Sequence, residues 1–237
     1  MIDPIDTFHE LIQRVEGDLK RPFITVSYAQ SLDGSIAITP DEQLTISSSA
    51  SLEMTHRIRA AHDAILVGIG TVLADNPALN VRFHSGDDPQ PIILDSQLRF
   101  PPDAQLLQIP PRPWILTGDA APQEKQKALE KAGANVIRVG TSPSQEVDLP
   151  SAMAALKARD ICSVMVEGGG QVITSFFHFR VVDLLILTIA PIVLGGLRGV
   201  GRLEIAPNAD PIRLPELRHR MYGPDLVIWG PVAGGQE

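Results

Sequence analysis

The stretch Met165-Val166-Glu167-Gly168-Gly169-Gly170-Gln171 decides the reading of this chain. Before it, Ile161-Cys162-Ser163-Val164-Met165-Val166 is short and apolar, as suits a strand buried on both faces. After it, Gln171-Val172-Ile173-Thr174-Ser175-Phe176-Phe177 reads as the opening turns of a helix. Glycines at such a junction let backbone N–H groups approach a phosphate, and the helix start adds partial positive charge. Glu167 stands at the carboxyl end of the strand, where open α/β sheets bind their ligands. The unit reads as a nucleotide crevice with an acid at its rim.

Outward from that unit, apolar strands alternate with helical stretches. Strands are expected at residues 23–29, 64–68, 91–94, 114–117 and 135–139. Helices are expected at 3–17, 49–61, 122–132 and 150–158, with a short one after Gly70-Thr71 that Asn76-Pro77 stops. Ile5, Phe8, Ile12, Val15 and Leu19 recur at helical spacing, so the first helix is amphipathic. Residues 1–20 are therefore set apart as an N-terminal helical extension, and residues 21–237 form a single domain. The alternation predicts an α/β fold with a mostly parallel central sheet flanked by helices. Residues 183–193 and 225–229 are expected to close it as an antiparallel edge or to form a dimer seam. Proline-rich 101–113 reads as a surface loop.

The bulk composition narrows the partners. A formal charge of −8 argues against nucleic acid or an anionic membrane as the main partner, yet leaves room for a local basic pocket. One cysteine, Cys162, excludes an internal disulfide and a cysteine-based zinc site, and its place in the apolar strand predicts a buried, inert thiol. The acidic start lacks the basic region of a signal peptide. No apolar run reaches the ~20 residues needed to span a bilayer. The expected compartment is the cytosol.

Strand ends at 29–31, 68–71, 95–96 and 167–170 all carry small or polar residues. In a parallel sheet these ends share one side, so together they point to a dinucleotide site. No G-x-G-x-x-G follows the first strand, no P-loop lysine follows Gly170, and the zinc-deaminase pattern is missing. Asp33 before Gly34 and Asp95 after its strand read as residues that shape their loops. His56 and His62 read as surface or capping residues. Arg57 and Arg59 lie two apart on a helix and point in different directions.

Asp63-Ala64-Ile65-Leu66-Val67-Gly68-Ile69-Gly70-Thr71-Val72-Leu73-Ala74-Asp75-Asn76-Pro77-Ala78-Leu79-Asn80-Val81-Arg82 makes the reading specific. With residues 29–34, 57–60, 94–96 and 167–170, it resembles the reductase domain of riboflavin biosynthesis, the C-terminal half of the bifunctional deaminase/reductase, which also occurs alone. The resemblance runs over about residues 21–232. It implies a dihydrofolate-reductase-like fold, NADPH as cofactor, a homodimer, no metal, and reduction of a ribosylamino-pyrimidine 5′-phosphate to its ribityl form. The implied substrate is 5-amino-6-(5-phosphoribosylamino)uracil; the non-deaminated diaminopyrimidine, a pterin or folate, and a catalytically silent binding module remain as rivals.

The resemblance also implies roles. The cofactor would meet Ala29, Thr45, Thr71, Asp75, Ser96 and the turn Gly169, Gly170, Gln171, Val172, Ile173, Thr174 and Ser175. Apart from the resemblance, Ser96 with Arg99 is the expected contact for the 2′-phosphate. The substrate would meet Gln43, Arg59, Leu79, Arg82 and Glu167, with the two arginines suited to phosphate because guanidinium binds it through paired hydrogen bonds. Glu167 and Asp75 are the catalytic candidates, Asp75 either holding the nicotinamide amide or moving the proton that opens the ribose. One departure stands out: many members carry a lysine where this chain has Ser27, which leaves the proton donor open.

Overall fold

Phe23–Ser31 (β1) is the first strand of a nine-stranded sheet, and the helix before it, Pro4–Val15 (α1), packs on that sheet's face. The computed structural model describes residues 2–15, 17–39, 44–203 and 210–233. After β1 come Ser35–Ala37 (β2), Ser49–Ala60 (α2), Ala64–Gly68 (β3), Ile69–Asp75 (α3) and Gln90–Leu94 (β4). Trp114–Gly118 (β5), Gln123–Lys131 (α4), Asn135–Val139 (β6) and Leu149–Lys157 (α5) follow. The last third holds Ser163–Gly168 (β7), Gly170–His178 (α6), Leu184–Ala190 (β8), Leu197–Arg198 (β9), Arg218–Tyr222 (β10) and Asp225–Pro231 (β11). The sheet order is β10-β11-β8-β1-β7-β3-β4-β5-β6, and β2 pairs with β9 in a separate ribbon. Strands β1 and β3 to β8 run parallel, while β11 and β10 are antiparallel. The seven parallel carboxyl ends therefore open on one side.

Alternation along the strands splits the core. Ile24, Val26, Leu66, Val164 and Val166 face α5 and α6, packing with Ala152, Leu156, Ile173 and Phe176. Met165, Leu184 and Ile186 face the other way, onto Phe8 of α1 and Met54 and Ile58 of α2. The start of α2 is tied to β11, where Asp225 Oδ2 accepts from Ser48 N at 2.8 Å and Ser51 Oγ at 2.7 Å. That bond fixes the helix that later carries Arg59 and His56. Phe8 is 2% exposed, so truncating it to alanine costs about 3–5 kcal/mol.

Three expectations are corrected. The first of the two late segments, β8, is an interior strand, parallel to β1 and flanked by β11. The reason is that Leu184 and Ile186 bury on one face while Leu185 and Leu187 bury on the other. Cys162 is exposed, because β7 begins one residue later and Asp63 Oδ2 holds Cys162 N and Ser163 N at 2.8 and 2.9 Å in the turn before it. Residues 101–113 do more than cover the surface: a 3-10 turn at Gln105–Leu107 drives Leu106 and Leu107 into the core, each 1% exposed. The final strand β11 is antiparallel as expected, but β10 outside it has no apolar alternation to announce it.

Candidate active site

The glycine turn is built by close packing. Glycine at 68 is needed because a Cβ there would meet Val172 Cγ2 of α6 at 2.7 Å. Gly169 takes φ +78, a left-handed conformation that side chains avoid, and this lets α6 start abruptly at Gly170. No side chain caps that helix. Its first N–H groups, on Gly170, Gln171 and Val172, have no carbonyl one turn back to bond, and Gly169 O first accepts from Ile173 N at 3.0 Å. The helix thus ends in free donors and partial positive charge at the edge of the sheet.

Beside this turn the β3–β7 ladder slips. Leu66 pairs with Val166 and Val67 with Gly168, leaving Glu167 as the extra residue of a bulge. Bulges re-aim side chains, and they recur beside active sites. Glu167 is aimed at Arg59 of α2: Arg59 Nε donates to Oε1 and Nη2 to Oε2, both at 2.6 Å. Arg59 Nη1 donates to Asn80 O at 2.9 Å. Burial alone disfavours the Arg59 charge, but the Glu167 carboxylate outweighs that and holds its pKa above the usual arginine value. The pair is only 13% exposed on each side.

An open cleft of about 600 Å³ runs along these strand ends. It brings together most of the residues expected at the cofactor: Ala29, Thr45, Thr71, Asp75, Ser96, Gly169, Gly170, Gln171, Val172, Ile173 and Ser175 line it, and Glu167 stands in its wall. Arg99 lines it too. Thr174 does not; its hydroxyl donates to Gly170 O at 2.5 Å and accepts from Gly201 N at 2.8 Å, which pins the loop after β9 to α6. Ser96 is fixed by Val147 N, which donates to its Oγ at 3.0 Å. Gln43 lies outside the described residues.

The residues expected at the substrate form a second group behind Glu167. Leu79 is 4% exposed in the core under α3, with φ 50. Arg82 is exposed, makes no ion pair among the described residues, and lies with its guanidinium 5.9 Å from the Phe83 ring. Its backbone N–H donates to His56 Nδ1 at 3.0 Å. Neither Arg59 nor Leu79 nor Arg82 reaches the cleft wall.

Both histidines are buried, against expectation. His56 is 1% and His62 5% exposed. Desolvation, with Arg59 and Arg82 nearby, lowers the His56 pKa to about 4, although Glu167 and a bond to the Asn80 backbone pull the other way. His62 bonds Ile58 O and Thr25 Oγ1, each at 2.8 Å, and lies 4.1 Å from the Phe8 ring, so burial again lowers its pKa to about 4. Burial beside the Phe83 and Phe8 rings disfavours an imidazolium more than the backbone carbonyls nearby favour it. Asp75 is shifted oppositely: burial raises its carboxyl pKa.

Sequence reading missed one wall of the cleft. Tyr28 and the β2–β9 ribbon, through Ile36, Ala37 and Leu197, also line it. The signal was present in glycine: a Cβ at Gly170 would lie 2.8 Å from Arg198 O, and one at Gly196 would overlap Ala37 O. Asp33 braces the ribbon, accepting from Leu194 N at 2.9 Å and Gly195 N at 2.8 Å. Those bonds, with the Ser31 and Ser35 hydroxyls, hold its carboxyl well below the usual range.

A mostly parallel sheet with antiparallel closing strands, and a glycine turn and anchored acid at its carboxyl edge, defines a reductase of the dihydrofolate-reductase-like class. The RibD C-terminal domain matches residues 22–228, and the chain belongs to that family. A protein of Archaeoglobus fulgidus named 2,5-diamino-6-ribosylamino-4(3H)-pyrimidinone 5′-phosphate reductase is 36% identical over 186 residues, covering 74% of this chain and 83% of its own. The solved riboflavin biosynthesis reductase Rib7 of Saccharomyces cerevisiae superposes with a TM-score of 0.75 at 29% identity, covering 97% of this chain and 99% of its own. Dihydrofolate reductase of Enterococcus faecalis gives a TM-score of 0.51 at 12% identity over 88% of this chain and 96% of its own, which is a likeness of fold alone. No helix among the described residues is long and apolar enough to cross a membrane. No cluster of three or more His, Cys, Asp or Glu among them could hold a metal ion.

Proposed function

We propose that this chain uses NADPH to reduce the ribosyl group of 5-amino-6-(5-phosphoribosylamino)uracil to the ribityl form in riboflavin biosynthesis. The observation that carries the reading is the juxtaposition at the end of β7. A carboxylate locked by a bidentate arginine stands beside a helix N-terminus with no side-chain cap. The first suits a polyhydroxylated, amine-bearing substrate; the second suits a pyrophosphate.

The cleft fits the cofactor on its own chemistry. Gly169, Gly170, Gln171 and Val172 line it with no side-chain cap on the helix start, which leaves backbone N–H donors facing a site suited to a pyrophosphate. When bound, NADPH supplies the hydride that reduces C1′ of the opened sugar. Free N–H groups of Gly170, Gln171 and Val172 take the pyrophosphate, while Ser96 and Arg99 sit toward the adenosine ribose and its 2′-phosphate. Thr45, Thr71 and Ala29 line the path between. Glu167 accepts hydrogen bonds from the pyrimidine amine or the sugar hydroxyls. Arg59 keeps both its oxygens in place, so its part is to orient the acid rather than to grip phosphate. Of the two arginines expected at the substrate, Arg82 is then the one proposed for the 5′-phosphate. Ser27 is buried in β1, 6% exposed, and offers no positive charge. Asp75, whose raised pKa favours holding a proton, is assigned the proton transfer that opens the ribose.

A second reading has a specific observation behind it. The Archaeoglobus relative is named for the non-deaminated diaminopyrimidine, which differs from the uracil at one ring position. Incubating the purified protein with NADPH and each pyrimidine, and following the reduced nicotinamide absorbance, decides between them. Turnover of the uracil supports the main reading, turnover of the diamino compound alone the second, and turnover of neither leaves a silent binding module. Dihydrofolate in the same assay tests the folate rival. The reading carries with it a cytosolic homodimer and an N-terminal extension over residues 1–20. Sedimentation velocity tests the dimer, and deletion of residues 1–20 tests the extension.

A further inference from the structure

His56 is buried, titratable and unused by the mechanism above. It sits on α2 one turn before Arg59 and faces the backbone of residues 80–82. Its Nδ1 accepts from Arg82 N at 3.0 Å. Phe83 packs edge-on against the ring, with centroids 4.8 Å apart at 88°. Arg59 Nη1 donates to Asn80 O at 2.9 Å, two residues before Arg82. Two side chains of one helix thus clamp the segment that carries Arg82.

We infer that His56 is a positioning residue for substrate, holding the 80–82 backbone so that Arg82 presents its guanidinium to the substrate phosphate. This deepens the function proposed above and rests on it. The chemistry requires the ring to be neutral. An acceptor nitrogen must face the Arg82 N–H, and protonation would set two donors against each other. A third cation would also then stand beside Arg59 and Arg82, offset by Glu167, while Asp88 Oδ1 is engaged by Val81 N at 2.7 Å in the same segment. The lowered pKa is consistent with that requirement. Arg82 itself is exposed, and without the clamp the backbone that carries it would have to be ordered by the substrate at an entropic cost.

Three variants separate this role from general support. Asparagine places Oδ1 near the position of the imidazole Nδ1, so His56→Asn keeps an acceptor for Arg82 N–H. His56→Leu keeps bulk without the acceptor, and His56→Gln reaches toward the Nε2 position instead. His56→Leu and His56→Gln should raise KM for the pyrimidine about tenfold, the loss of one buried hydrogen bond, with KM for NADPH unchanged. His56→Asn should restore KM to within about threefold of wild type, a partial rescue of that bond. Amide hydrogen exchange at Arg82, read by NMR without any substrate, should be slow in wild type and His56→Asn and fast in the other two. Equal KM for pyrimidine across all variants, or His56→Asn no better than His56→Gln, would overturn the role. If His56→Leu does not fold, the Asn and Gln pair carries the comparison. Wild type without turnover would sink the reductase reading and the phosphate role with it. Unchanged Arg82 exchange across the variants would instead sink the clamp while the reductase stands.

Discussion

The cleft and the group of residues behind Glu167 are made of different material. On the cofactor side the working groups are backbone: a positive-φ glycine, the first N–H groups of α6, and glycines at 68 and 170 that let helix and loop come close. On the substrate side they are side chains from distant segments, Arg59 with Glu167 and His56 with the residue 80–82 loop, each fixed by another. Backbone sites tolerate substitution wherever no Cβ intrudes, whereas a side-chain network loses several contacts when one member goes. The contrast can be broken or sharpened by four changes, from the largest expected effect to the smallest.

Arg59→Met should do the most damage, leaving Glu167 buried without its partner at a cost of about 3–5 kcal/mol. Denaturant unfolding reads the stability, and kcat/KM should fall by about 10²–10³-fold as the acid loses its orientation. NADPH binding by the folded fraction should survive. Gly170→Ala is the counterpart on the other side. Its Cβ would lie 2.8 Å from the backbone Arg198 O, which cannot rotate away. About 1–3 kcal/mol of stability should be lost, with KM for NADPH raised and KM for pyrimidine little changed. A rise in both constants would erase the distinction between the two sides.

Arg82→Ala should raise pyrimidine KM about tenfold or more and leave stability and NADPH binding alone, since the side chain has no ion pair among the described residues. The smallest effect is a pH slope. His56 has its pKa lowered from 6.5 to about 4, so the unfolded chain binds that proton first. Its stabilising contribution is present above pH 6.5 and is lost as pH falls through about 4. Asp75, Asp95 and Asp183, raised by burial, slope the other way. Comparing wild type with His56→Asn across that window isolates the histidine: the variant should lose less stability on acidification. Parallel curves would mean that His56 is already protonated in the fold.

What was legible in the sequence follows the same division. The strand-glycine-helix unit is local, and its conformational demands are written into consecutive residues, so the crevice could be read from it, whereas most of the other residues in its wall were named only through the family resemblance. The Arg59–Glu167 pair joins residues 108 positions apart, and the bulge that aims Glu167 arises from a slip against β3; neither leaves a local trace. The ribbon wall was hidden for a related reason, since β9 is two residues long and exposed. Buried His56 and His62 look polar by composition, and only their packing against Phe83 and Phe8 takes them inside. The run Leu184–Ala190 was expected at an antiparallel edge or a dimer seam, yet its apolar residues at successive positions require cover on both faces, and it lies inside the sheet.

Transfer of the hydride itself tests the central claim most directly. Wild-type protein is given NADPH carrying deuterium at the transferable C4 position together with 5-amino-6-(5-phosphoribosylamino)uracil, and the product is analysed by mass spectrometry and NMR. The expected result is one deuterium at C1′ of a ribityl chain for each NADPH consumed. Tight cofactor binding with no label in the sugar of this pyrimidine or its diamino counterpart would contradict it.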